Sequence, residues 1–262
     1  QPVPILFIHH SCGGQLLAET GSETGDHCIH PTHPNGGGLR RLLEENRYVV
    51  HEASYGSVVG EKPDICDWRA KFQERMPQIL ACRRQDDLLD GNTRNRVVIF
   101  KSCFPNNWIE AEGEPPGDPD SPRRTLANCQ AAYRALLDVF RKEPETLFIA
   151  MTAPPLAEPA GGLRDSLKIL LGREDSVGRV GDRTRRFNAW LADPGSGWLA
   201  GYELPNVAVF NLYGVLTGRG SSPWSAYPTG GGTDSHPSAA GNALAAREFV
   251  PMLNRAVRRM GI

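Results

Sequence analysis

The chain has no hydrophobic run approaching the roughly 20 residues of a membrane-crossing helix, so no membrane span is expected. It has no charge bias either. Its 29 Lys and Arg stand against 30 Asp and Glu, a formal net charge of −1, which leaves no basic field for nucleic acid and no acidic field for cations. The six cysteines, Cys12, Cys28, Cys66, Cys82, Cys103 and Cys129, show no CxxC spacing, which argues against a zinc ribbon. Internal repeats and a hinge-like linker are also missing, so residues 1–262 read as one domain. Finally, the chain opens on Gln1 rather than Met and enters an apolar run almost at once. With an even cysteine count, that fits an exported chain, and a secreted or periplasmic location is the expectation.

What the chain does have is alternation. Five short apolar runs, at 3–8, 48–53, 97–100, 147–151 and 207–210, are rich in β-branched and aromatic residues and mostly lack polar alternation. Strands covered on both faces of a parallel sheet read this way. Helical patterns fill the gaps at 39–46, 67–85, 121–144, 182–193 and 238–260. Pro77 is expected to bend or split the second of these. Ser121 and Ser238 are the expected N-caps of the third and fifth. Alternating strands and helices imply βαβ units, and in such sheets the site lies at the carboxyl ends of the strands. The loops to search therefore follow Ile8, Ala53, Phe100, Met151 and Phe210.

After the first strand come His9, His10, Ser11 and Cys12; after the second, Ser54 to Ser57 with Gly56; after the third, "KSCFPNNW" with Asn106 and Asn107. Before the last helix comes "GGGTDSHPSAAGN", with Asp234 and His236. A hydroxyl to attack, an imidazole to take its proton, a carboxylate to fix the tautomer and N–H donors for an oxyanion are the parts of a serine hydrolase. In this order they resemble the SGNH (GDSL-type) hydrolases. Ser11 matches the nucleophile of that family, although His9-His10 replaces its usual Gly-Asp. Gly56 matches the glycine and Asn106 the asparagine, with Asn107 as the alternative. His236, followed by Pro237 and Gly241, matches the histidine block.

The resemblance implies a three-layer α/β/α sandwich around a five-stranded parallel sheet in flavodoxin-like order. It further implies Ser11, His236 and Asp234 as catalytic residues, an oxyanion hole from Ser11, Gly56 and Asn106, and no cofactor. The family's carboxylate usually stands three residues before the histidine, a place held here by Thr233. Either Asp234, two residues before, still reaches the ring, or the site works as a dyad. The loops are polar and rich in Gly, Ser and Pro, without a long apolar lid. A small acyl group, such as acetyl, on a sugar or polysaccharide is thus the expected ester substrate.

Other readings compete. Cys12 beside Ser11 invites a cysteine nucleophile, but adjacent side chains diverge, so a buried Cys12 or a disulfide to Cys103 on the neighbouring strand end is expected instead. His27, Cys28, His30 and His33 crowd one loop and offer a rival metal-dependent hydrolase or lyase, although their spacing fits no standard zinc pattern. The alternative for that loop is a wall over the site. A catalytically silent carbohydrate-binding domain on the same scaffold is a third reading. His10, Asn107, Trp224 and Tyr227 are candidate substrate contacts, with half-buried packing as the plainer role for the two aromatics. The segment beginning at Gly162 flanks the fourth strand's loop.

Overall fold

The computed structural model describes residues 1–159, 177–220 and 222–262, so most of the Gly162 segment lies outside the described residues. The strands are β1 (Val3–Ile8), β2 (Glu19–Thr20), β3 (Thr32–His33), β4 (Tyr48–Ala53), β5 (Cys82–Arg84), β6 (Asp87–Leu88), β7 (Val97–Lys101), β8 (Leu147–Met151), β9 (Val207–Phe210), β10 (Pro228–Thr229) and β11 (Asp234–Pro237). Among the described residues the central sheet has seven strands in the order β6-β5-β4-β1-β7-β8-β9. The five long ones follow the flavodoxin-like order 2-1-3-4-5 and pair in parallel.

The expected five-stranded sheet is therefore corrected to seven. The additions are short edge strands, β5 parallel to β4 and β6 antiparallel to β5. With three and two residues they are too brief to print a period, and β5 falls inside the helical pattern 67–85.

The two faces of the sheet explain why its strands lack polar alternation. Leu6 and Ile8 point into a cluster with Trp68, Phe72, Phe100, Phe140 and Phe148. Their neighbours Ile5 and Phe7 point the other way, toward Leu16, Leu39, Leu43 and Phe249. Helices Trp68–Ala81, Leu126–Phe140 and Val177–Ala192 cover the first face. Ser11–Leu17, Leu39–Glu45, Leu212–Leu216 and Ala239–Met260 cover the second. The result is an α/β/α sandwich. Among the described residues, no helix is long and apolar enough to cross a membrane.

Pro77 does not split its helix, which runs unbroken from Trp68 to Ala81. The third helix starts at Leu126 rather than near Ser121, because the Thr125 hydroxyl accepts from the Asn128 N–H and caps it there. The stretch before it is held as extended chain, with Leu126 N–H donating to the Ala111 carbonyl. Ser238 caps the last helix as expected.

Candidate active site

β1 ends at Ile8, and the chain turns directly into the helix Ser11–Leu17. His10 is the N-cap, in extended conformation, and its carbonyl accepts from the N–H groups of Gly13 and Gly14 at 2.7 and 3.0 Å. Both glycines are sterically required. A Cβ at Gly13 would stand 2.3 Å from the His9 Cβ, and one at Gly14 would stand 1.9 Å from the Cys28 carbonyl oxygen. The turn is thus squeezed between its own preceding histidine and the loop 21–38.

That turn lifts Ser11 to the carboxyl end of the sheet, where the loop before the last helix meets it. The Ser11 hydroxyl and His236 Nε2 are 3.0 Å apart, and His236 Nδ1 is 2.7 Å from Asp234 Oδ1. The same carboxylate oxygen accepts the His236 backbone N–H at 3.0 Å. This Asx-type turn lets a carboxylate two residues before the histidine reach its ring, since side chain and backbone close on one atom. Thr233, at the other spacing, instead donates its hydroxyl to the Gly230 carbonyl. Partial burial opposes ionisation of Asp234. The backbone and ring of His236 and the Thr229 hydroxyl outweigh it and hold the carboxyl below its usual range. The edge of the Phe104 ring packs on the His236 ring at a centroid distance of 5.0 Å.

The two histidines before Ser11 have different surroundings. His9 is fully buried, with Nδ1 3.1 Å from the His10 carbonyl and Nε2 3.1 Å from Glu52 Oε2. The other oxygen of Glu52 accepts from Arg40. Burial works against the charge of Glu52, but the His9 bond and the Arg40 guanidinium bring its carboxyl below the ordinary range. Arg40, Glu52 and His9 therefore form a chain that ends on the carbonyl holding the turn of Ser11. His10 is also fully buried, and its ring lies tilted against that of Tyr55 with centroids 4.0 Å apart. Desolvation first, then the charges of Lys101 and His9, push its ring down to about 3.

The expected oxyanion donors are occupied. Gly56 has φ +81°, a conformation that suits glycine, and its N–H donates to Glu61 Oε1 at 2.7 Å. Asn106 is 1% exposed; its amide donates to Asp64 Oδ1 at 2.6 Å while its carbonyl accepts the Ile65 N–H. Asn107 is fully buried and donates to the carbonyls of Ala153 and Pro154, with Asn188 donating back to it. Those bonds make Asn107 a clamp between loops. Trp224 packs against Gly181, and Tyr227 lies against Gly241 and the core, both half-buried.

The histidine-rich loop does not gather ligands. His30 Nδ1 bonds the Thr24 carbonyl, His33 Nδ1 accepts the Asn35 N–H, and the ring of His27 lies over Gly56. Among the described residues, no three His, Cys, Asp or Glu side chains form a group that could hold a metal ion. The loop instead walls the site. All six cysteines are free, so of the two expectations for Cys12, burial holds and the disulfide to Cys103 does not; Cys103 Sγ lies 3.6 Å from the Ser11 hydroxyl. Phe104, Glu52, Arg40 and Lys101 escaped the sequence reading. The signal available was polar residues, His51-Glu52 and Lys101, inside otherwise apolar strands.

No family model matches the chain, and no curated protein matches it. Among solved structures it is similar to a carbohydrate esterase family 2 (CE2) enzyme plus carbohydrate binding domain from Corynascus thermopiles (Myceliophthora fergusii). The identity is 14% and the TM-score 0.40, over 99% of this chain and 67% of that one. A likeness of that size carries no functional argument.

Proposed function

We infer that the chain is a serine hydrolase that cleaves carboxylic esters through an acyl-Ser11 intermediate, on a scaffold of the SGNH type. The observation that carries this reading is the continuous relay from the Ser11 hydroxyl through both nitrogens of His236 to Asp234. Ser11 attacks the ester carbonyl as His236 Nε2 takes its proton. His236 then returns that proton to the departing alcohol, and water, activated by the same ring, releases the acid. Asp234 holds the proton on Nδ1 and stabilises the imidazolium.

The Ser11 N–H lies in the first helical turn and has no intrahelical acceptor, so it is available to an oxyanion. Gly56 and Asn106 are the other donors in this reading. They exchange the carboxylates of Glu61 and Asp64 for the substrate oxygen. Each such donor typically contributes about 2.7–4 kcal/mol to the transition state.

The substrate in this reading is a small acyl group on a sugar or polysaccharide. Tyr55, 40% exposed and tilted against His10, offers an aromatic ring beside the nucleophile that suits a sugar ring. No cofactor takes part. The occupied donors favour one competing reading, a carbohydrate-binding domain without catalysis.

Intact mass after treatment with an organophosphonate serine-hydrolase probe separates the two. One adduct is expected on the wild type and none on Ser11→Ala or His236→Ala. No adduct on folded wild type would overturn the hydrolase. Acetylated sugars should then be cleaved with higher kcat/KM than esters of long-chain acids; the reverse order would overturn the substrate class.

A further inference from the structure

The relay leaves one reactive cluster unused. Cys103 follows β7 and Cys12 follows Ser11, at the ends of neighbouring parallel strands, with both thiols buried and each near enough to shift the other's ionisation. Cys103 Sγ is also 3.6 Å from the nucleophilic hydroxyl. Fully buried Lys101, its Nζ donating to the Ser102 carbonyl, stands two residues away.

We propose that Cys103 is an oxidation site for small peroxides, and that Cys12 resolves it into a reversible disulfide which draws Ser11 away from His236. The second half of this statement rests on the hydrolase reading; the first does not.

Only a thiolate attacks a peroxide at a useful rate. Cys103 meets that need: the hydrogen bond from the Cys12 thiol, helped by Lys101 and Ser11 against the effect of burial, brings it down to about 5. Cys12 is held protonated, with its pKa raised by the same bond and by burial. In the first step the Cys103 thiolate attacks one oxygen of hydrogen peroxide, an S–O bond forms and the O–O bond breaks. The hydroxide that leaves takes up the proton Cys103 released on ionising, giving the first water. The Cys12 sulfur then attacks the sulfenic sulfur, the S–S bond forms, the S–O bond breaks, and the Cys12 proton departs in the second water. Two thiols lose two electrons and two protons, and hydrogen peroxide is reduced to two waters (an organic hydroperoxide to its alcohol and one water).

The consequence for Ser11 is geometric. Cys12 lies in the first turn of the helix that carries Ser11, so a covalent link to the end of β7 pulls that turn sideways. The bond also removes the sulfur's contact with the Ser11 hydroxyl. A catalytic misplacement of about 1 Å can cost roughly a hundredfold in rate.

The test treats the full chain with hydrogen peroxide and reads three quantities. Intact mass should fall by about 2 Da, with a non-reduced peptide joining Cys12 to Cys103. The ring NMR signal of His236, assigned with His236→Ala, should shift and return with dithiothreitol. Phosphonate labelling of Ser11 should slow by roughly a hundredfold and recover on reduction. The Cys12→Ser variant should instead accumulate a dimedone-trapped sulfenic acid at Cys103, and Cys103→Ser should show neither product. A wild type that oxidises elsewhere, or not at all, overturns the proposal. A Cys12–Cys103 crosslink that leaves the His236 signal unmoved overturns the gate. Absence of labelling in the reduced wild type, with the crosslink still forming, counts against the hydrolase reading instead.

Discussion

Ser11 owes its place to its neighbours: two glycines let the chain pass under His9 and the Cys28 carbonyl, and His10 caps the helix with its backbone alone. The ring of His10 should mark the stability of this turn. The unfolded chain takes up a proton near 6.5, whereas the folded ring resists until about 3. Its contribution is thus fully present above 6.5 and is lost as pH falls toward 3, at up to about 1.4 kcal/mol per pH unit. Urea midpoints measured from pH 7 to 4 should fall less steeply in His10→Phe than in the wild type; equal slopes would contradict the assignment. For Asp234, replacement by Asn should lower ester turnover by about a thousandfold or more, because the amide favours the wrong tautomer of His236. A loss below tenfold would mean the pair acts as a dyad. The sequence displayed Asp234 and His236 but left their coupling open, since spacing alone does not reveal an Asx turn.

At the scale of elements, two polar clusters hold the loops around Ser11. Arg40, Glu52 and His9 tie the helix Leu39–Glu45 and β4 to the carbonyl of His10. Glu52→Gln should cost about 3–5 kcal/mol in urea unfolding, the usual effect of stripping a partner from a buried charge pair. It should also slow phosphonate labelling of Ser11, and unchanged labelling would separate His9 from the positioning of the turn. Asn107 ties the end of β7 to residues 153–154 and to Val177–Ala192. Asn107→Leu leaves carbonyls and an amide without partners, each at about 1–3 kcal/mol, so a large loss of stability is expected by the same measurement. In the sequence these residues looked like functional candidates or went unnoticed. A buried Asn satisfied by distant carbonyls prints no local pattern. The edge strands β5 and β6 were missed for a related reason, since pairing with β4 rather than their own periodicity makes them strands.

For the whole molecule, the central prediction concerns metal. With no ligand group gathered among the described residues, ester hydrolysis should survive dialysis against a chelator; its loss, restored by a divalent cation, would return the histidine loop to the reaction. Alternation and apolar strands determined a layered α/β fold with a parallel sheet and the strand ends to search. Those features are written in local composition and in βαβ connectivity, which the chain carries residue by residue. The strand order and the pairing of Ser11 with His236 came instead as what the resemblance to SGNH hydrolases implies. Tertiary structure alone decided that Gly56 and Asn106 face Glu61 and Asp64, that Asn107 is a clamp, and that Cys12 and Cys103 stay free thiols. These turn on pairings between residues far apart in the chain, and a donor's acceptor or a thiol's neighbour is fixed only when the sheet brings separate loops to one edge.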